Sequence, residues 1–237
     1  MCWGIDCRAA QTSQQAASQR RVLETERQQR ELERQQKATA DAEHRRKTFI
    51  AKYQPLRSRS SWAKANTLLL KGWAVSPSRF SPMARCYYRW WMNPEQSTVA
   101  QTITPMGAKR LLTGSAKKGA YHAVNTSEAP EIIIIAEGLA TVLSAHMMRP
   151  DALAVAAIDA WNLTPVVQVM RRKYPDAKII IAADNDQLDD KPNTGADTAN
   201  KAAISVSGWV SLPPTDYKAD WNDYHQQKRA GSRHTRI

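Results

Sequence analysis

The chain has 237 residues, a formal net charge of +12 and 42% apolar content. That apolar share is enough to bury a core and excludes wholesale disorder, and no apolar run approaches the roughly 20 residues that span a bilayer. The N-terminus lacks the basic-then-apolar pattern of a secretory signal, and Cys2, Cys7 and Cys86 are too scattered for a disulfide framework or a C-x-x-C zinc module, so a reducing, cytoplasmic location is expected.

The charge is unevenly placed. Residues 1–130 carry 22 Lys/Arg against 9 Asp/Glu, a balance of +13, whereas residues 131–237 carry 12 against 13, a balance of −1. A basic stretch beside an acidic domain suits a phosphate polymer as partner. A basic surface that only aids solubility is the alternative.

Residues 1–52 are expected to form a polar helical arm. The stretch from about 14 to 52 lacks Gly and Pro, is rich in good helix formers, and sets Glu26 four residues before Arg30. Val22, Leu23 and Leu32 are too few for a coiled-coil seam, so the helix is expected to face solvent or a nucleic acid. Residues 53–130 read as a basic, aromatic-rich α+β subdomain. Trp62, Trp73, Phe80, Tyr87, Tyr88, Trp90 and Trp91 alternate with basic residues, a pattern that serves either base stacking or a small irregular core. STVAQTI and AKRLLTG flank a Pro105/Gly107 turn and predict a hairpin whose second half carries Lys109, Arg110, Lys117 and Lys118.

From residue 131 the pattern becomes regular. EIIIIAEG, ALAVAAID, KIIIAADND and GWVSLPP are continuous apolar runs alternating with helical segments, which predicts an α/β domain over residues 131–237 with a parallel sheet covered on both faces. Ligands collect at the carboxyl ends of such strands. Glu137 ends the first run, Asp159 the second, and Asp184 and Asp186 the third. Asp184 and Asp186 are two residues apart, so in extended chain they leave one face. Several carboxylates in one crevice repel one another unless a cation neutralises them, and hard oxygen ligands favour Mg2+ or Mn2+. Gly138 leaves room for a phosphate at the start of the following helix.

Strand-Glu-Gly-helix followed by strand-Asp-x-Asp is more specific than either half. IIIIAEGLATVLS resembles the glutamate motif of the toprim domain and IIIAADND its aspartate motif. Gly195-Ala196 with Ala199, Lys201 and Ala202 resembles the helix that follows in primases. DYKADWNDY resembles a third acidic motif, which recruits Asp220 and Asp223, and AVAAIDAWNL and the upstream TVAQTITPMGAKRLLTGSAKKGAYH are similar to primases of phages and mobile elements. The resemblance implies a toprim-type DNA primase in a bacterial host cell, joining nucleoside triphosphates into short RNA primers on single-stranded DNA. It implies Mg2+ held by Glu137, Asp184, Asp186 and Asp220, with Glu137 a ligand or a general base, and Gly138, Asp159 and Asp223 in support. Lys109, Arg110, Lys117 and Lys118 are the expected grips on nucleotide or DNA. No zinc module and no G-x-x-x-x-G-K-[ST] is present in these residues, so a replicative helicase or a separate zinc-module protein is an expected partner, and no membrane is. A toprim-type metal-dependent nuclease and a non-catalytic replication accessory protein are the competing readings.

Overall fold

The computed structural model describes residues 5–59, 61–62, 79–80, 86–93, 96–103, 108–186 and 193–234. Residues 1–47 and 48–237 form two units. The first holds helix α1 (Ile5–Arg59) as far as Lys47, and the helix starts before and ends beyond the expected 14–52 span. Its residues 16–47 are exposed throughout, including Val22, Leu23 and Leu32, and Arg30 pairs with Glu26 at 3.7 Å. This is a solvated helix held by its own backbone and by pairs one turn apart. No helix among the described residues is long and apolar enough to cross a membrane.

The second unit holds two five-stranded sheets. One is an antiparallel meander in the order β1 (Ser61–Trp62), β2 (Arg79–Phe80), β3 (Cys86–Asn93), β4 (Gln96–Ile103), β5 (Lys109–Leu111). The expected hairpin is present as β4 and β5, with Thr102 opposite Arg110; its Pro105/Gly107 turn lies outside the described residues. The aromatic run CYYRWWMN, expected in an irregular segment, is instead the eight-residue strand β3, paired along β4 with shifts of register near Trp91. Aromatic residues favour strands, and an eight-residue partner satisfies their backbone groups.

The other sheet has the order β10 (Trp209–Ser211), β9 (Lys178–Ala182), β7 (Ile132–Ala136), β8 (Leu153–Ala156), β6 (His122–Ala123). All pairings are parallel except β6 with β8. Helices α2 (Leu139–Met148) and α5 (Trp221–His234) contribute to the core on one face, and α3 (Leu163–Lys173) and α4 (Thr194–Ile204) on the other. Alternate residues of β7 serve opposite faces. Ile134 and Ala136 pack with Leu139 and Val142, whereas Ile133 and Ile135 pack with Val166, Val167, Met170 and Ala199. Burial on both sides is why these strands read as unbroken apolar runs. Val99 of β4 is fully buried in the first of these clusters, so the meander shares a core with the parallel sheet.

Candidate active site

The register of the parallel strands assembles the acidic residues. Ala136 is level with Ala156 on β8 and with Ala182 on β9, so the chain leaves all three strands at one edge. Glu137 follows β7 directly, Asp159 lies three residues beyond β8, and Asp184 two beyond β9.

Burial pushes the Glu137 carboxyl above its ordinary value. The Lys109 ammonium pulls it back, Asp159 and Asp186 push it further up, and the Ala160 N–H dipole pulls it down. Asp184 is pushed up to about 7, first by burial and then by the charges of Asp220, Glu137 and Asp186, with Lys109 opposing. Five carboxylates therefore share one field, and Lys109 of β5 is the cation set against two of them, Glu137 and Asp184. Its Nζ would lie 3.7 Å from a Cβ at Gly138, an ordinary contact, so the space beside Gly138 is the place where this lysine sits.

The Asp184-Asn185-Asp186 segment is held from both sides. Asn185 turns inward, 6% exposed, and exchanges backbone hydrogen bonds with Ala219 (2.9 and 3.0 Å), which brings Asp220 alongside Asp184. The Asn185 side chain donates to the Thr215 carbonyl at 3.0 Å and accepts from Asn193 at 2.9 Å. Asn193 is also the N-cap of α4, its Oδ1 accepting from Ala196 N–H (3.1 Å) and from Asp186 N–H (3.2 Å). Gly195 in the first turn of α4 lies against the aspartates: a Cβ there would come within 2.9 Å of Asp186 Oδ2 and 3.0 Å of the Asp184 carbonyl. Lys218 pairs with Asp186 at 3.0 Å. Asp220 and Asp223 cap α5 reciprocally, the Asp223 N–H donating to Asp220 Oδ1 at 2.7 Å and the Asp220 N–H to Asp223 Oδ2 at 3.3 Å.

Asp159 sits differently from the rest. It pairs with Lys117 at 2.7 Å and accepts from the Asn162 N–H at 3.1 Å, capping the short 3-10 turn Ala160–Asn162. Its predecessor Ile158 has φ +82, a left-handed conformation that a β-branched residue adopts only under constraint. The constraint is Asn162, 1% exposed, whose side chain accepts from Gly119 N–H and donates to the Ala120 and Ala157 carbonyls, each at 2.8 Å. One asparagine thus ties the loop carrying Lys117 to the turn carrying Asp159.

Of the expected site residues, the fold brings Glu137, Asp184, Asp186, Asp159, Asp220 and Lys109 into electrostatic contact. Lys117 is engaged by Asp159, and Arg110 and Lys118 are exposed. Among the described residues no three Asp, Glu, His or Cys side chains converge as a metal cage. Sequence reasoning missed Lys218, Asn193 and Asn162. Asn193 carried a readable signal, an Asn just ahead of Thr-Gly-Ala at a helix start.

Residues 132–231 match the family described as Toprim domain. Two Escherichia coli proteins described as DNA primase TraC are each 34% identical over 119 residues, 48% of this chain but 11% and 8% of theirs, so the chain spans about a tenth of the curated relatives it matches. The primase fragment of the bacteriophage T7 primase-helicase protein shares the fold, with a TM-score of 0.50 at 16% identity over 77% of this chain and 72% of that one. The parallel sheet, the acidic edge and the family match agree: residues 132–231 of this chain form a toprim domain.

Proposed function

We propose that the chain performs primase-type nucleotidyl transfer, joining ribonucleotides into short RNA primers on single-stranded DNA. The observation that carries this reading is the shared field of Glu137, Asp184, Asp186 and Asp220, in which Asp184 is pushed up to about 7. Such repulsion is costly in a fold and is relieved by a cation. The donor set suits Mg2+, with Mn2+ a substitute: every donor is a carboxylate oxygen, and Mg2+ takes one or two carboxylates directly while waters and substrate phosphates complete its shell. Asp184 and Asp186 would hold it directly, and Asp220 and Glu137 through its waters, with Glu137 alternatively the base. Bound there, the ion would lower the pKa of the attacking hydroxyl and stabilise the leaving pyrophosphate.

In the reaction a 3′-oxygen forms a bond to the α-phosphorus of a nucleoside triphosphate as the α–β bridging bond breaks and pyrophosphate leaves. The hydroxyl proton passes to a carboxylate, for which Glu137, its proton affinity raised by burial, is suitably poised. Lys109 faces the carboxylates and would meet triphosphate oxygens drawn to the same edge; Arg110 and Lys118 lie on exposed surface from which a template backbone is within reach. The T7 relative is a fragment of a primase-helicase protein. By analogy, a replicative helicase or a protein with a zinc module would complete the assembly here.

The test is incubation of the purified chain with single-stranded DNA, labelled ribonucleotides and Mg2+. Short labelled oligomers that vanish in Asp184→Asn and Asp186→Asn support the reading. Shortened template without oligomers marks a nuclease instead, and neither product marks a replication accessory protein.

A further inference from the structure

Trp161 is 88% exposed, more than any other large apolar side chain among the described residues. It is the middle residue of the 3-10 turn at the carboxyl end of β8, on the edge where the carboxylates gather. The turn is anchored on either side of it. Asp159 holds both Lys117 and the N–H of Asn162, and Asn162 is buried with three side-chain hydrogen bonds. Leu163 beyond it is 3% exposed. The indole is therefore presented to water by a rigid frame, at the rim of the site.

Packing does not account for that exposure. Elsewhere in the domain Trp221 is packed against the core and donates to the Ser211 carbonyl, and Trp209 lies under the Lys178 ammonium. The surroundings of Trp161 instead combine an aromatic face with positive charge, since the loop clamped to its turn carries the exposed Lys118 beside the Asp159-bound Lys117. An aromatic beside cations that can follow a phosphate backbone is how proteins hold unpaired bases. A protein partner is the other occupant of an exposed tryptophan, but a turn capped by Asp159 at the carboxyl end of β8 places this one beside whatever the acidic edge binds.

We propose that Trp161 is a stacking platform for an unpaired nucleobase at the rim of the acidic site. This rests on the nucleic-acid reading of that site and adds to it a contact with a base, where the other candidates touch phosphate or metal. The base belongs to the single strand or to the incoming nucleotide, and the two are separable by experiment.

The full chain and its Trp161→Ala and Trp161→Phe variants would be titrated with a labelled oligothymidylate at several salt concentrations, and separately with ATP and Mg2+. Expected is a loss of about five- to a hundredfold for Trp161→Ala in one of the two titrations, with Trp161→Phe retaining most of the affinity. A loss in the oligothymidylate arm assigns the base to the strand, and a loss in the ATP arm assigns it to the nucleotide. The salt dependence should be the same in all three proteins, because stacking releases no counterions. Melting temperatures should match too, since the side chain supports no packing. Equal binding of both ligands by Trp161→Ala and the parent overturns the proposal and leaves the primase reading standing. A parent that binds neither ligand removes both.

Discussion

Gly195 lies so close to the Asp186 carboxylate that a methyl group on its Cα would come within 2.9 Å of Oδ2, and within 3.0 Å of the Asp184 carbonyl oxygen. In an exposed helix Gly→Ala gains about 1 kcal/mol. Here the sign should reverse: Gly195→Ala should lose about 1–3 kcal/mol, because a backbone oxygen cannot swing away as a side chain does. Primer synthesis should fall as well, since Asp186 must shift to make room. Urea unfolding of the variant decides it, and a more stable Gly195→Ala would mean that the helix end gives way freely.

Asp184 links activity to stability through its proton. In the unfolded chain its carboxyl has an ordinary value near 3.8, and in the fold it is pushed up to about 7. The folded state thus holds the proton more tightly. This group's contribution is fully present below the unfolded value and is lost as pH rises through about 7. Asp184→Asn should therefore be more stable than the parent at about pH 8 without divalent ions, by an amount on the order of a few kcal/mol, and no more stable at about pH 4. The same variant should make no primer. Paired urea titrations at the two pH values, with a primer assay, test both halves.

Lys109 lowers the proton affinity of Glu137 and of Asp184. Lys109→Met should raise both, so the acid limb of the pH–rate profile should move to higher pH as well as the rate falling. A lower rate with an unmoved acid limb would place Lys109 on the substrate alone.

Asn162→Ala should cost about 2–4 kcal/mol, because it leaves the Gly119 N–H and two buried carbonyls without their partner. It also releases the strained backbone at Ile158, so activity should fall with stability. Thermal unfolding checks the first expectation. An unchanged melting temperature would mean that water replaces the side chain.

The parallel sheet was legible because burial on both faces leaves a direct mark: IIII in β7 and III in β9 are what two covered faces require. The acidic residues were legible for a related reason, since a charged residue ending an apolar run must sit at the sheet edge. Less visible was whatever depends on residues distant in sequence. His122–Ala123 is too short to show any period, and it is a strand only because β8 lies beside it. Lys117 is 42 residues from Asp159, and nothing in its local sequence separates a lysine meant for a carboxylate from one meant for a phosphate. Strand β3 was hidden by its aromatic content, which fits a pleated surface and a compact irregular core equally well.

The antiparallel edge strand β6 and the Asn162 clamp have a bearing on how such domains can be shuffled. The family match begins at residue 132, yet β6 at His122–Ala123 completes the sheet, and Gly119 and Ala120 are stitched to the turn after β8. A chimera joined at residue 132 would splice a foreign strand and a foreign loop onto the Asp159 turn, and the two parental halves would have to agree on both. A junction ahead of Lys117 carries the strand, the clamp and the Lys117–Asp159 pair together as one inherited piece. Recombination between genes that carry such domains, natural or engineered, should therefore yield working hybrids far more often when it falls upstream of that lysine than at the start of the family match.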